Sequence, residues 1–172
     1  DQHARLVLPG GYSATGLVAE HWNGVYSLMY RLTSNTHDAE DLTQQTFLQA
    51  LEKISQFQAG TNMRSWLLRI GTNCFLDFKR RRRPVSVEPS GLDIATSAEV
   101  PAGPLEQSEV AAELQQALLQ IPETQRVVFL LRTTEDLSFR QIAEMIGATE
   151  VTARWHMLQA RNRLLELLKG KL

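Results

Sequence analysis

The chain has 172 residues, 43% of them hydrophobic and 22% charged, with a net charge of −1. That is an ordinary globular composition for one domain or two small ones, and it excludes a protein that coats nucleic acid by charge alone. A single cysteine, Cys74, excludes an intrachain disulfide, and no apolar run approaches the roughly 20 residues of a membrane span. With no signal peptide, the expected setting is cytoplasmic.

Residues 1–12 contain Pro9, Gly10 and Gly11 without a period and predict a loose tail through residue 13. From about Ala14 to Ser34, Leu17, Val18, Trp22, Val25, Leu28, Met29 and Leu32 recur at helical spacing. Asn35-Thr36 breaks that helix, and a second is predicted from about Asp38 to Phe57. Its inner stripe is Ala39, Thr43, Phe47, Ala50, Leu51 and Ile54. Asp38, Asp41, Gln45, Leu48 and Glu52 form the opposite stripe, within roughly 80° of one another at about 100° per residue. Such a face is either solvated or a contact for a protein partner, since Leu48 stands among acidic and amide groups.

The loop Gln58–Asn62 leads into a third helix, Met63–Arg83, with Asn62 as its N-cap and Pro84 as its stop. Met63, Trp66, Leu67, Ile70, Cys74 and Phe78 share its apolar stripe, so Cys74 reads as a small core residue. Asn73 lies at the edge of that stripe and Asp77 within it. A carboxylate there needs a partner, and no second carboxylate or histidine shares its face. Lys79, Arg80, Arg81, Arg82 and Arg83 close the helix. Cations suit a helix C-terminus, but five exceed what the dipole asks for and fit a nucleic-acid backbone.

Residues 84–107 hold four prolines, two glycines and several serines without a clean period, and predict a linker. The charge is uneven around it: residues 84–113 hold six acidic and no basic residues, between two mildly basic blocks. A helix is then predicted over Ser108–Gln120, with Val110, Ala111, Leu114, Ala117 and Leu118 inward. Pro122 opens another, burying Val127, Val128, Leu130 and Leu131. Ser138 and Gln141 form a capping-box pair, Gly147 suits a sharp turn and Thr149 caps the next helix. This is a helix-turn-helix pattern. The final helix, about Thr149–Leu168, buries Ala153, Met157, Ala160, Leu164 and Leu168. Its outer face carries Thr152, Arg154, Trp155, His156, Gln159, Asn162 and Arg163, where amide and cationic groups can read base edges. The expected fold is all-α: two small helical domains, residues 14–83 and 108–172, joined by an extended acidic linker.

Taken together, Asp38-Ala-Glu-Asp-Leu-Thr-Gln-Gln-Thr-Phe47, Trp66 through Arg80, Ile121-Pro-Glu-Thr-Gln-Arg-Val-Val-Phe-Leu130, Leu137 through Glu144 and Ala160-Arg-Asn-Arg-Leu164 resemble the extracytoplasmic-function (ECF) sigma factors. These are small bacterial transcription initiation factors of the sigma-70 family. The resemblance covers about residues 14–168. It implies that Asp38, Asp41, Gln45, Leu48 and Glu52 meet core RNA polymerase. It implies that Gln58–Asn62, Arg64 and Asn73 serve the −10 element and hold a flipped base of it. Lys79, Arg80, Arg82 and Arg83 would hold backbone upstream, with a salt slope of about −3.6 for four duplex phosphates. Arg140, Thr152, Arg154, Trp155, His156, Gln159 and Arg163 would read the −35 element. The implied partners are core polymerase, promoter DNA and an anti-sigma factor, through which a membrane tether is possible, with no cofactor, metal or small-molecule substrate. Nothing after the second domain suggests self-contained control. The sequence departs from the family at Ala153, Trp155 and Leu158-Gln159, so the −35 sequence does not transfer.

Two other readings compete. A stand-alone helix-turn-helix regulator would bind its operator without polymerase. An enzyme would need a phosphate loop, a ligand cluster or a nucleophile–base pair, and His3, His21, His37 and His156 are scattered.

Overall fold

The computed structural model describes residues 7–83 and 109–171, so the linker expected at 84–107 lies outside the described residues. The first group of helices is α1 (Ala14–Thr33), α2 (Thr36–Glu52) and α3 (Met63–Arg82), with a 3-10 turn at Ile54–Gln56. The second is α4 (Glu109–Leu119), α5 (Glu123–Thr133), α6 (Phe139–Ile146) and α7 (Glu150–Leu168). The structure is all-α, in two helical domains, as the periodicity predicts.

Local signals set the helix starts. Ser13 Oγ accepts from the Gly16 N–H, Asn35 Oδ1 from Asp38 and Asn62 Oδ1 from Ser65. Each such cap stabilises its helix by about 1 kcal/mol. α1, α2 and α3 then close over Leu17, Leu28, Met29, Leu32, Leu42, Leu67, Leu68 and Phe75, all fully buried. Gly71 lets α3 approach its neighbours. A Cβ there would lie 3.2 Å from both Met29 Cε and Thr46 Oγ1.

In the second domain, Val127, Val128 and Leu131 of α5, Ile142 of α6 and Ala153, Ala160 and Leu164 of α7 make the core. Both arms of the Ser138–Gln141 capping box are present, at 3.1 and 2.9 Å. Gly147 takes φ 68°, the left-handed value a short turn requires, and Thr149 Oγ1 caps α7 through the Thr152 N–H. The helix-turn-helix follows from these local rules.

Several expectations are corrected. Residues 7–12 are not a loose tail: Gly10 and Gly11, at φ 87° and 81°, permit a tight turn. The Leu8 N–H donates to the Tyr12 carbonyl at 2.7 Å, and Leu8 is buried. α2 ends at Glu52 rather than Phe57, because the 3-10 turn redirects the chain and buries Phe57 against Trp66, ring centroids 5.3 Å apart. Trp66 is itself only half-buried. At the start of α4, Val110 and Ala111 are exposed, and the residues that α4 buries, Ala117 and Leu118, lie in its second half. Asp77, placed within the apolar stripe by helical phase, is instead half-exposed, and the partner it needs is Arg80 one turn on.

The two domains touch. α1 meets α4 and α5, and α3 meets α5 and α6. Arg126 of α5 is buried at this seam, and its guanidinium donates to the Leu118, Leu119 and Ile121 carbonyls of its own domain and to Leu32 across it.

Candidate functional site

Three surfaces carry the residues that the sequence singles out. The first is the outer stripe of α2. Asp41, Leu48 and Glu52 are exposed, Leu48 at 65%, and Gln45 is half-buried. Asp41 lies 3.4 Å from His37 one turn earlier. Asp38 departs from the expectation: its side chain is only 16% exposed and lies 3.5 Å from Arg82 of α3. The stripe open to a partner therefore runs from Asp41 to Glu52, with an apolar Leu48 at its centre.

The second surface is a cleft of about 750 Å³ beside α3. The loop residues Gln58, Thr61 and Asn62 form one end, and Ser65, Trp66, Arg69 and Asn73 line it from α3. Gln49, Lys53 and Gln56 face it from α2 and the 3-10 turn, and Gln141, Glu144 and Met145 of α6 close the other side. Asn62 and Asn73 both line this cleft, about three turns of α3 apart. Amide groups that donate and accept, beside an indole face and two cations, suit a planar, hydrogen-bonding base with an attached phosphate. Sequence reasoning missed Gln49, Lys53, Gln56 and Arg69 in this role. Arg69 was findable: Asn62, Trp66, Arg69 and Asn73 recur at helical spacing along one face.

Arg64 does not join that cleft. Its guanidinium packs against Gly24 of α1 and donates through Nε and Nη2 to Glu135 Oε2 of the second domain, at 3.0 and 2.7 Å. The basic run is also more engaged than an open cationic patch. Arg80 pairs with Asp77, Arg82 lies over the Phe78 ring at 4.2 Å, and Arg83 reaches Glu123 at 2.9 Å. Lys79 is half-buried. Burial pulls its ammonium below the ordinary lysine value, with Arg126 adding to the effect and Glu123 opposing it.

The third surface is the N-terminal half of α7. Thr152, Arg154 and Trp155 are exposed there, Trp155 at 52%. Arg154 pairs with Glu150 at 2.8 Å and lies over the Phe139 ring at 4.7 Å, which fixes its direction along the helix start. Arg140 projects from α6 with Glu144 3.8 Å away. His156 and Gln159 are corrections: both are half-buried rather than outward. His156 packs against Trp155 with ring centroids 5.1 Å apart, its Nδ1 is buried, and burial lowers its pKa. Arg163 lies about three turns further on, beside Gln120 and Ile121 at the α4–α5 junction, and so apart from this group. Among the described residues no group of three His, Cys, Asp or Glu is placed to hold a metal ion.

The chain is similar to known proteins along most of its length. Residues 17–85 match sigma-70 region 2 and residues 111–164 match sigma-70 region 4. The ECF RNA polymerase sigma factor EcfG of Rhodopseudomonas palustris is 33% identical over 80% of this chain and 75% of its own length. SigE of Mycolicibacterium smegmatis, another ECF RNA polymerase sigma factor, is 37% identical over 88% of this chain, which spans 60% of that relative's length. Among solved structures, the sigma factor RpoE bound to the anti-sigma factor NepR of Bartonella quintana superposes with a TM-score of 0.67 at 25% identity, covering 90% of this chain and 96% of that one. With both conserved regions in order on one all-α chain, the protein belongs to the ECF sigma factors of the sigma-70 family.

Proposed function

We propose that this chain acts as a dissociable subunit of bacterial RNA polymerase and directs it to specific promoters, without chemistry of its own. Residues 14–83 would serve as region 2, residues 108–172 as region 4 and residues 84–107 as the connection between them. The observation that carries this reading is the amide-lined cleft beside α3, on the same chain as a capped helix-turn-helix with an exposed recognition helix.

The physical roles follow from the three surfaces. Leu48, ringed by Asp41, Gln45 and Glu52, is the anchor for the polymerase, with Asp38 contributing where Arg82 releases it. The cleft whose two ends carry Asn62 and Asn73 receives the −10 element, and a base of it taken out of the stack is held there. That step costs a few kcal/mol, so the donors and acceptors must stand in place beforehand. Lys53, Arg69, Arg64 and the run Lys79–Arg83 supply cations for the adjoining backbone. Thr152, Arg154 and Trp155 enter the major groove of the −35 element, with Arg140 on the flanking phosphates. No helix among the described residues is long and apolar enough to cross a membrane, and the chain works where the polymerase does, in the cytoplasm. The RpoE–NepR likeness supports control by a separate anti-sigma protein.

Association with core polymerase tests the reading. Gel filtration of the chain with purified bacterial core enzyme should give a co-eluting complex. Asp41→Lys together with Leu48→Glu should abolish it while leaving the helical signal intact. A double variant that still co-elutes fully would remove the α2 face from the interface.

A further inference from the structure

We propose that two copies of this chain associate in parallel through the outer face of α7, and that the dimer covers the face assigned above to the −35 element. Helix α7 is apolar on two opposite sides. Ala153, Ala160 and Leu164 are buried in the core of the second domain. On the other side Val151, Trp155, Leu158 and Leu165 are exposed at 77, 52, 54 and 68%. Together with Asn162, also exposed, they stand 4, 3, 4 and 3 residues apart. That is the repeat of a coiled-coil seam, with Trp155 and Asn162 at a positions and Val151, Leu158 and Leu165 at d positions. A helix that is apolar on both sides is one that packs on both sides, and no described part of this chain covers the outer one.

The residues that flank the seam select a second copy as its occupant. Arg154 and Arg161 fall at g positions, and Gln159 and Glu166 at e positions. In a parallel pair each g residue faces the e residue about five places further along the other helix. Arg161 then meets Glu166 of the second copy, twice by symmetry, and Arg154 meets Gln159. An antiparallel pair would set Arg154 against Arg161 instead. Among the described residues neither Arg161 nor Glu166 has an ion-pair partner in its own chain, and both are exposed. Asn162 lies in the seam between Leu158 and Leu165. A lone asparagine at an a position fixes register and strand number, because its amide is satisfied by the matching amide of the other helix. The seam is short, about 28 Å of helix, so the contact is weak, with a Kd of about 20 µM. Trp155 belongs both to this seam and to the residues assigned to the major groove, so a second copy and −35 duplex exclude each other. That exclusion rests on the reading of α7 as the groove helix; the dimer itself does not.

The test is sedimentation equilibrium of the full chain from about 1 to about 200 µM, alone and with a fluorescent duplex of about 20 base pairs of mixed sequence at about 50 mM salt. The expected result is a mass that doubles over that range, and an L165E chain that stays monomeric with its helical signal intact. R161E and E166R should each weaken the dimer about fivefold, through two symmetry-related pairs, and R161E/E166R should recover it, which a misfolded variant would not do. Duplex should drive the dimer to monomers. A chain that is monomeric throughout overturns the proposal, as does a dimer that L165E leaves intact. A double charge variant no stronger than the single ones overturns the parallel pairing. If duplex binds without splitting the dimer, adding R154A to the L165E chain separates the causes. Weaker duplex binding would keep α7 in the groove and overturn the exclusion, whereas unchanged binding would overturn the groove reading.

Discussion

The guanidinium of Arg126 in α5 donates to the carbonyl of Leu32 at 2.5 Å, joining the second domain to the last turn of α1. Its other bonds, 2.7 Å to Leu118, 3.2 Å to Ile121 and 3.3 Å to Leu119, take up carbonyls where α4 ends and the chain turns into α5. One side chain, 4% exposed, thereby satisfies the end of one helix and holds a second domain. Arg126→Leu should cost about 3 kcal/mol of stability by urea unfolding, because buried acceptors lose a charged donor. Arg126→Lys should restore little of it, since an ammonium cannot reproduce the planar fork. A loss under about 1 kcal/mol for the leucine variant would show that water replaces these bonds.

The contact between the two domains should depend on acidity through Glu123, which pairs with Arg83. Burial raises its pKa, but the backbone N–H at the start of α5 and the Arg83 and Arg126 charges outweigh that and hold it below the ordinary value of 4.5. A carboxylate held low contributes its stabilisation above its ordinary value and loses it as pH falls through the lowered one. With fluorophores on cysteines introduced at the exposed Ser55 and Gln116 (S55C/Q116C), the distance between the two domains should therefore stay short at neutral pH and lengthen as the pH drops below about 4.5. E123Q should start longer and lose that part of the pH response. Added salt should lengthen the distance as well, because the Arg83–Glu123 pair is partly exposed.

The Cys74 thiol should be inert in the native chain. Burial raises its pKa and Asp77 adds to that, against a lowering hydrogen bond with Thr46. A buried, protonated thiol is a poor nucleophile. Modification by an aromatic disulfide reagent should proceed at the rate of unfolding and speed up in urea. Rapid stoichiometric labelling in buffer would show that the packing of α3 on α2 opens locally.

Helix α6 should depend on its cap. Ser138→Ala removes the oxygen that accepts the Gln141 N–H and should cost about 1 kcal/mol, with faster amide exchange in the first turn of α6. Binding of −35 duplex should weaken without change in the interaction of α2 with polymerase. Unaltered exchange in that turn would mean that packing of Ile142 and Ala143 alone holds the helix.

The helix-turn-helix was legible because its signals are local: Ser138 with Gln141, Gly147 at positive φ and Thr149 before α7. The N-cap role of Asn62 was legible for the same reason. The extent of α2 was not, because the break after Glu52 is imposed by the burial of Phe57 against Trp66, a contact made only once α3 is in place. The cleft was half legible. Asn62 and Asn73 could be read from α3, whereas Gln49 and Lys53 enter it through the crossing of α2 over α3, which periodicity does not specify. The Arg64–Glu135 pair joins residues 71 apart, and no local pattern predicts it. Helical phase placed His156 outward, but its ring turns in against the helix beside Trp155, leaving Nδ1 buried.

The central claim is promoter-directed initiation, and run-off transcription with purified bacterial core polymerase on a library of promoter fragments tests it most directly. The account predicts specific transcripts that require this chain, share −10 and −35 sequences and disappear with Asp41→Lys and Leu48→Glu. Tight binding to promoter duplex without polymerase, and no initiation with it, would contradict the account and leave a stand-alone helix-turn-helix regulator.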